Sequence, residues 1–365
     1  MVIQMKTGIR QSPDWVRTST AAVMTMGIAP GRFLNDAKLH CLNLLLTYDE
    51  GCSARCAYCG LSRSRDSKTP WADNSFIRVE WPTVAVDEVV SKIRDGDCPA
   101  VERVCVSMVT NPRAFNDTLT VVARISPVME RVSALITPTI IDRDWLVDLK
   151  EAGADMVGIA VDAATEEIFD ETRGRGVRGP HRWDRYWESV SESVEVFGIM
   201  NAGVHLIVGI GETEREMIET IQRVHDMGAF THLFSFFPEV GSLMQNSHQP
   251  PIEQYRRVQL ARYLIDNGSA GACEMTFDHD GRLNDYGIKE TALDKIISQG
   301  YPFMTSGCHG KTLMNACNRP FGNCTPLQAL QGQMRNFPYK PRINDIKIVR
   351  AQMGIQSGLV SSENS

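Results

Sequence analysis

Cys52, Cys56 and Cys59 stand in the segment GCSARCAYCG with the spacing C-x3-C-x2-C. Thiolates are soft, anionic donors suited to iron–sulfur clusters, and metal binding draws them out of the protonated state. Three cysteines can hold a [4Fe-4S] cube while leaving one iron open to another ligand. A ferredoxin-type electron-transfer cube takes four, so the missing fourth ligand is part of the signal. Structural zinc is the competing reading, but zinc loops show paired close spacings and a complete four-ligand set. A second group, Cys308, Cys317 and Cys324, lies in TSGCHGKTLMNACNRPFGNC with the spacing C-x8-C-x6-C. Its glycine and proline punctuation suits an irregular loop shaped around a ligand; a coincidental set of free thiols is the alternative.

With Tyr58 preceding Cys59, the first loop resembles the radical S-adenosylmethionine (SAM) superfamily. The resemblance implies a [4Fe-4S] cluster whose open iron is chelated by S-adenosyl-L-methionine, and one-electron reduction to a 5′-deoxyadenosyl radical. The radical belongs to the cofactor, so no side chain is assigned as catalytic. The segment Val208-Gly209-Ile210-Gly211-Glu212-Thr213 follows a strand pattern and resembles the family's glycine-containing adenine contact. That makes Gly209, Gly211 and Glu212 cofactor-binding candidates, since glycine permits close backbone approach; the same residues also read as an ordinary βα turn. Asp162 ends another strand pattern and is placed to accept hydrogen bonds from the cofactor ribose. The planar donor array of Arg173 suits the methionyl carboxylate. A helix cap and a solvated charged loop are their respective alternatives. Thr110 and Asn111, in VTNPRAF, occupy the place where relatives carry a GGE-like cofactor contact.

The tail is similar to radical enzymes related to biotin synthase, above all the two-component lipoyl synthase family. The matching stretches are Thr305-Ser306-Gly307-Cys308, Cys317-Asn318-Arg319-Pro320-Phe321, Asn336-Phe337-Pro338 and the upstream MTFDHDGRLNDYG. Relatives bring the first two tail cysteines closer together, whereas here 311–316 intervenes. The resemblance implies a second, auxiliary [4Fe-4S] cluster on Cys308, Cys317 and Cys324 that supplies sulfur. The implied substrate is an octanoyl group on a lipoyl carrier protein or a glycine-cleavage-type carrier. A companion radical SAM lipoyl synthase and a reduced ferredoxin or flavodoxin-like donor are the other implied partners. Cys273 is a candidate fourth ligand that reads better as a buried structural thiol. His279, His309 and Arg319 are further candidates that read better as solvated or structurally paired. No role beyond packing is assigned to Cys41, Cys98 or Cys105. Phe236 and Phe237 read as channel wall or core, and the arginines between 173 and 185 as an attraction for an acidic carrier. The alternatives are a methyltransferase or carbon-skeleton enzyme of the hydrogenase-cofactor branch, and a noncatalytic iron–sulfur scaffold.

The elements that must position these groups alternate. Apolar runs at 42–48, 104–109, 134–137, 156–161, 204–210, 233–237 and 273–277 read as strands. Amphipathic segments at 86–93, 145–152, 183–197, 214–227 and 252–265 lie between many of them. This rhythm predicts parallel βα units, and seven strands suit an α/β fold that is a partial or near-closed (β/α) barrel of radical SAM type. The first cysteine loop then follows the first strand at the barrel's C-terminal face. The expected organisation is an N-terminal extension (1–40), the barrel (41–300), a cysteine-containing C-terminal extension (301–350) and a flexible tail (351–365). With 43% hydrophobic and 22% charged residues, a substantial core is available to the 365-residue chain. The net charge of −6 offers no general attraction for nucleic acid. No apolar run is long enough for a signal or a membrane span, so a cytoplasmic protein is expected.

Overall fold

The computed structural model describes residues 10–65, 77–313 and 315–355. Residues 1–9 of the expected N-terminal extension and 356–365 of the expected tail lie outside that description.

One eight-stranded sheet organises the chain, in the order β3-β1-β2-β4-β5-β6-β7-β8. Its strands are β1 (Trp15–Thr18), β2 (Cys41–Leu46), β3 (Thr83–Ala85), β4 (Arg103–Ser107), β5 (Val132–Ile136), β6 (Met156–Asp162), β7 (Ala202–Val208) and β8 (Phe230–Ser235). In sheet order from β2 to β8, the five neighbouring pairs of these six strands are all parallel. β1 and β3 add an antiparallel edge beyond β2. The segment expected to be an N-terminal extension therefore contributes a strand to the sheet. The helices on the outer face are α1 (Thr20–Thr25), α2 (Val86–Arg94), α3 (Ala114–Ile125), α4 (Arg143–Glu151), α5 (Glu166–Thr172), α6 (Trp183–Phe197), α7 (Glu214–Asp226) and α8 (Ile252–Asp266).

The strands form because short β-branched and leucine-rich runs are buried on both faces, as all six residues of β2 from Cys41 to Leu46 are. Their outward side chains meet amphipathic helices such as α7. That helix opens with a capping box in which Thr213 and Glu216 satisfy each other's backbone donors, and it buries Met217, Ile218, Ile221 and Val224. The helix expected at 214–227 is this one, and those at 86–93, 145–152, 183–197 and 252–265 correspond to α2, α4, α6 and α8.

The expected seventh barrel strand at 273–277 is not in the sheet. Ala272–Glu274 is a 3-10 turn, and only Thr276–Phe277 pairs, with Leu283–Asp285, in a separate two-stranded ribbon. Cys273 is accordingly exposed, not a buried structural thiol. The sheet stays open, and the C-terminal extension fills the gap beside β8. Ser306 Oγ accepts from Leu233 N at 2.9 Å, while Asn336 Nδ2 and Tyr255 Oη donate to Leu233 O at 3.3 and 3.1 Å. These contacts satisfy edge groups that an open sheet would otherwise expose. At the far side of the gap Asn318 accepts from His40 N at 3.2 Å and donates to Lys38 O at 2.8 Å. Helices α9 (Glu290–Gln299), α10 (Arg319–Gly322), α11 (Pro326–Leu330) and α12 (Ile343–Gln352) complete the chain. The last of these runs across the expected boundary at 350. No helix among the described residues is long and apolar enough to cross a membrane.

Candidate functional site

The loop after β2 is held by its backbone. Ser53 donates to Thr110 O through both N and Oγ, at 2.8 and 2.7 Å, and Ala57 N donates to Thr172 O at 2.6 Å. Met244 N in turn donates to Ala57 O at 3.0 Å. Cys52, Cys56 and Cys59 are thereby presented together to one cavity of about 250 Å³. Burial pushes the Cys56 thiol up to about 12 and the Cys59 thiol higher still, Arg173 partly opposing the rise at Cys56. Cys59 Sγ also accepts from Leu61 N at 3.4 Å.

Across the cavity stands a polar knot. β6 is irregular against β7 between Ala160 and Asp162, and Asp162 takes the left-handed conformation with φ of 67°. A bulge re-aims its side chain, and a non-glycine residue held in this region carries backbone strain. Asp162 Oδ2 accepts from Tyr58 Oη at 2.6 Å and from Arg173 Nη1 at 2.7 Å. Arg173 further donates to the Ala160 and Val161 carbonyls and, at 3.0 Å, to Tyr186 Oη. Its Nε is buried without a partner. His181 closes the knot through Thr139 and Tyr186, at 2.6 and 3.0 Å. Burial, then Arg173, pushes its imidazole well below the usual range, so it is neutral.

The other expected contacts divide. Thr110 lines the cavity, but Asn111 holds the loop, donating to Gly51 O at 3.3 Å. Gly209, Gly211 and Glu212 are not among the cavity's lining residues. Gly209 has φ of 101°, and a Cβ there would come within 2.5 Å of Pro250. The Glu212 carboxylate folds back to accept from Gly209 N and Ile210 N, at 2.6 and 3.1 Å. Burial raises its pKa to about 7 against those two bonds. Asp162 caps no helix; Thr165 is the cap of α5.

In the tail, Cys308 and Cys317 are buried together, with Cys317 N donating to Cys308 O at 3.1 Å. Cys324 is not in their packed group; it lies half-buried beside Arg78, whose guanidinium stacks on Phe237. The expected set of three tail ligands is therefore not brought together. His279 is exposed and pairs with Asp280, whereas His309 stacks with Phe230. The spacing pattern gave no signal for the contributions of Tyr186, His181 and His205, which share only the cavity or its wall.

Residues 48–224 match the model of the Radical SAM superfamily. The chain carries a radical SAM domain. This domain implies a [4Fe-4S] cluster and SAM. The cavity suits them: three thiols face an orphaned Arg173 Nε and the Asp162 carboxylate. No curated protein is detectably similar in sequence. Among solved structures, HydG, a maturase of the [FeFe]-hydrogenase, aligns at 12% identity and a TM-score of 0.49, over 67% of this chain and 53% of that one. Methylornithine synthase (PylB) aligns at 12% identity and 0.46, over 68% and 67%. The methyltransferase TsrM from Kitasatospora setae aligns at 14% identity and 0.38, over 67% and 43%. The chain spans about half the length of HydG, and likeness at this level does not extend to substrate or activity.

Proposed function

We propose that this protein inserts sulfur into the octanoyl chain of a lipoyl carrier protein, working with a companion radical SAM enzyme. When bound, the cluster and SAM supply a hydrogen-abstracting 5′-deoxyadenosyl radical, and an auxiliary cluster supplies sulfur. Cys52, Cys56 and Cys59 would hold the first cluster. Asp162 and Arg173 would orient the ribose and carboxylate of SAM, and His181, which burial pushes well below its usual range, would add no competing charge.

The observation that carries this reading is the composition of the cavity. Leu45, Leu135, Ile207, Phe234 and Phe236 give it an apolar wall suited to an alkyl chain, and Arg319, Pro320 and Asn336 close one side. Those last three belong to the tail stretches on which the resemblance to lipoyl synthases rests. An apolar wall also excludes water and other hydrogen donors, which a carbon-centred radical requires if it is to meet sulfur first.

The test incubates the anaerobically reconstituted, reduced protein with SAM, octanoylated carrier and companion enzyme. Deoxyadenosine together with a carrier mass gain from sulfur is expected. Deoxyadenosine without sulfur on any octanoylated carrier would sink the proposal.

A further inference from the structure

Below the cavity, at the opposite end of the strands from the cysteine loop, four thiols from distant parts of the chain meet. Cys41 opens β2, and Cys105 lies in the middle of β4. Cys308 and Cys317 come from the tail where it enters the gap in the sheet. Their exposures are 0%, 8%, 4% and 8%, and they pack into one group with Met156 and Phe230. Cys41 and Cys105 stand four and two residues below the cavity-lining Leu45 and Ser107, about 13 and 7 Å along their strands.

This group is not an apolar packing cluster. The Cys41 and Cys317 thiols face each other, and Cys308 Sγ lies 3.8 Å from His232 Nε2. Ser133 Oγ is buried and faces Cys105 and Cys308. Two guanidiniums act on the thiols: Arg103, fixed by Asp155 at 2.6 and 2.7 Å, and Arg319. A Cβ on Gly307 would collide with the Cys317 carbonyl, so glycine is what lets the two tail segments approach. Buried polar groups are normally satisfied, and buried free cysteines ordinarily behave as small apolar side chains. Here the polar groups converge on the sulfurs instead.

We propose that Cys41, Cys105, Cys308 and Cys317 ligate a second iron–sulfur cluster at the floor of the cavity, with Arg103 and Arg319 offsetting its negative charge. Four cysteines complete such a cluster. A single zinc ion, at about 2.3 Å from each sulfur, would draw the sulfurs to about 4 Å of one another. Among the described residues no three of these thiols lie within 4.8 Å of one another, so they do not stand at the spacing of a zinc set. The place of the cluster does not depend on the sulfur-insertion reading; only its use as sulfur donor rests on it. His205 and His232, with ring centroids 4.7 Å apart, and Arg319 lie between the thiols and the cavity.

The test measures iron and acid-labile sulfide in the anaerobically reconstituted full chain. In a variant carrying Cys52→Ala, Cys56→Ala and Cys59→Ala, one cluster is expected to remain. Adding Cys41→Ala or Cys105→Ala should lower that remainder more than tenfold, whereas adding Cys324→Ala should leave it. Cys41→Ser and Cys105→Ser preserve volume and fold, and should either lose the cluster or change its reduced-state EPR signal. An unchanged cluster in both serine variants overturns the inference, as does its loss with Cys324→Ala. So does a wild-type chain with one cluster only, or one with zinc or a Cys41–Cys317 disulfide at the floor. A second cluster held elsewhere would overturn this site yet leave the proposed function standing. A cluster held here without sulfur transfer to a carrier would do the reverse.

Discussion

The mouth and the floor of the cavity each gather cysteines, and they do so by opposite means. At the mouth three thiols come from one stretch, 52–59, pinned by backbone bonds to Thr110 and Thr172. At the floor four thiols come from β2, β4 and two points of the tail. Their electrostatics overlap. Burial pushes Cys56 and Cys59 up at the mouth and Cys105 and Cys308 up at the floor, where Cys317, facing Cys41 and helped by Arg319 and Arg103, is the thiol held down. A site built by local spacing can be recognised in a sequence. One built by strand register cannot.

The sharpest break in this comparison is Cys56→Ala. It should abolish deoxyadenosine formation, by far more than the ~10–100-fold typical of losing an outer-shell partner, and leave floor iron in place. Deoxyadenosine assays with iron counts check both halves. Next comes Arg173→Met, which leaves Asp162 buried beside Tyr58 without its cation. Breaking such a pair costs about 3–5 kcal/mol, read by chemical denaturation, and SAM affinity should fall with it. A loss below 1 kcal/mol would mean that Asp162 has found other compensation.

Glu212 gives a pH signature. Its folded pKa of about 7 lies above the ordinary 4.5, so the folded chain holds more protons than the unfolded one between those values. Stability is therefore full below about pH 4.5 and is lost as pH rises towards 7, by about 3 kcal/mol at most. Glu212→Gln should remove that slope in denaturation curves taken from pH 4.5 to 7.5; an unchanged slope assigns it to another group. The smallest expected effect is that of Gly307→Ala. Overpacking against Cys317 should cost about 1–3 kcal/mol and loosen floor iron while sparing the mouth cluster.

These contrasts also explain what was legible in the sequence. The βα rhythm gave the parallel strands because β2 through β8 are buried on both faces and read as apolar runs. It failed at 273–277, where an apolar composition belongs to a turn and a small ribbon outside the sheet. The mouth cysteines and Asp162 stand at strand ends and could be found there, and Arg173 closes helix α5. The pairing of Arg173 with Asp162, and its bond to Tyr186, could not, because it depends on a bulge in β6. The floor was hidden for a related reason: Cys41 is paired with Arg103 and Cys105 with Asn43 only once β2 and β4 are in register. Spacing along the chain directed attention to Cys324, which folds to Arg78 instead.

The most direct test of the central claim, that the cavity brings an alkyl chain to the mouth cluster, is isotope transfer. The reduced protein with SAM and carrier bearing a fully deuterated octanoyl group should yield deuterium-containing 5′-deoxyadenosine. Deoxyadenosine free of deuterium, formed at the same rate with and without the carrier, would contradict it.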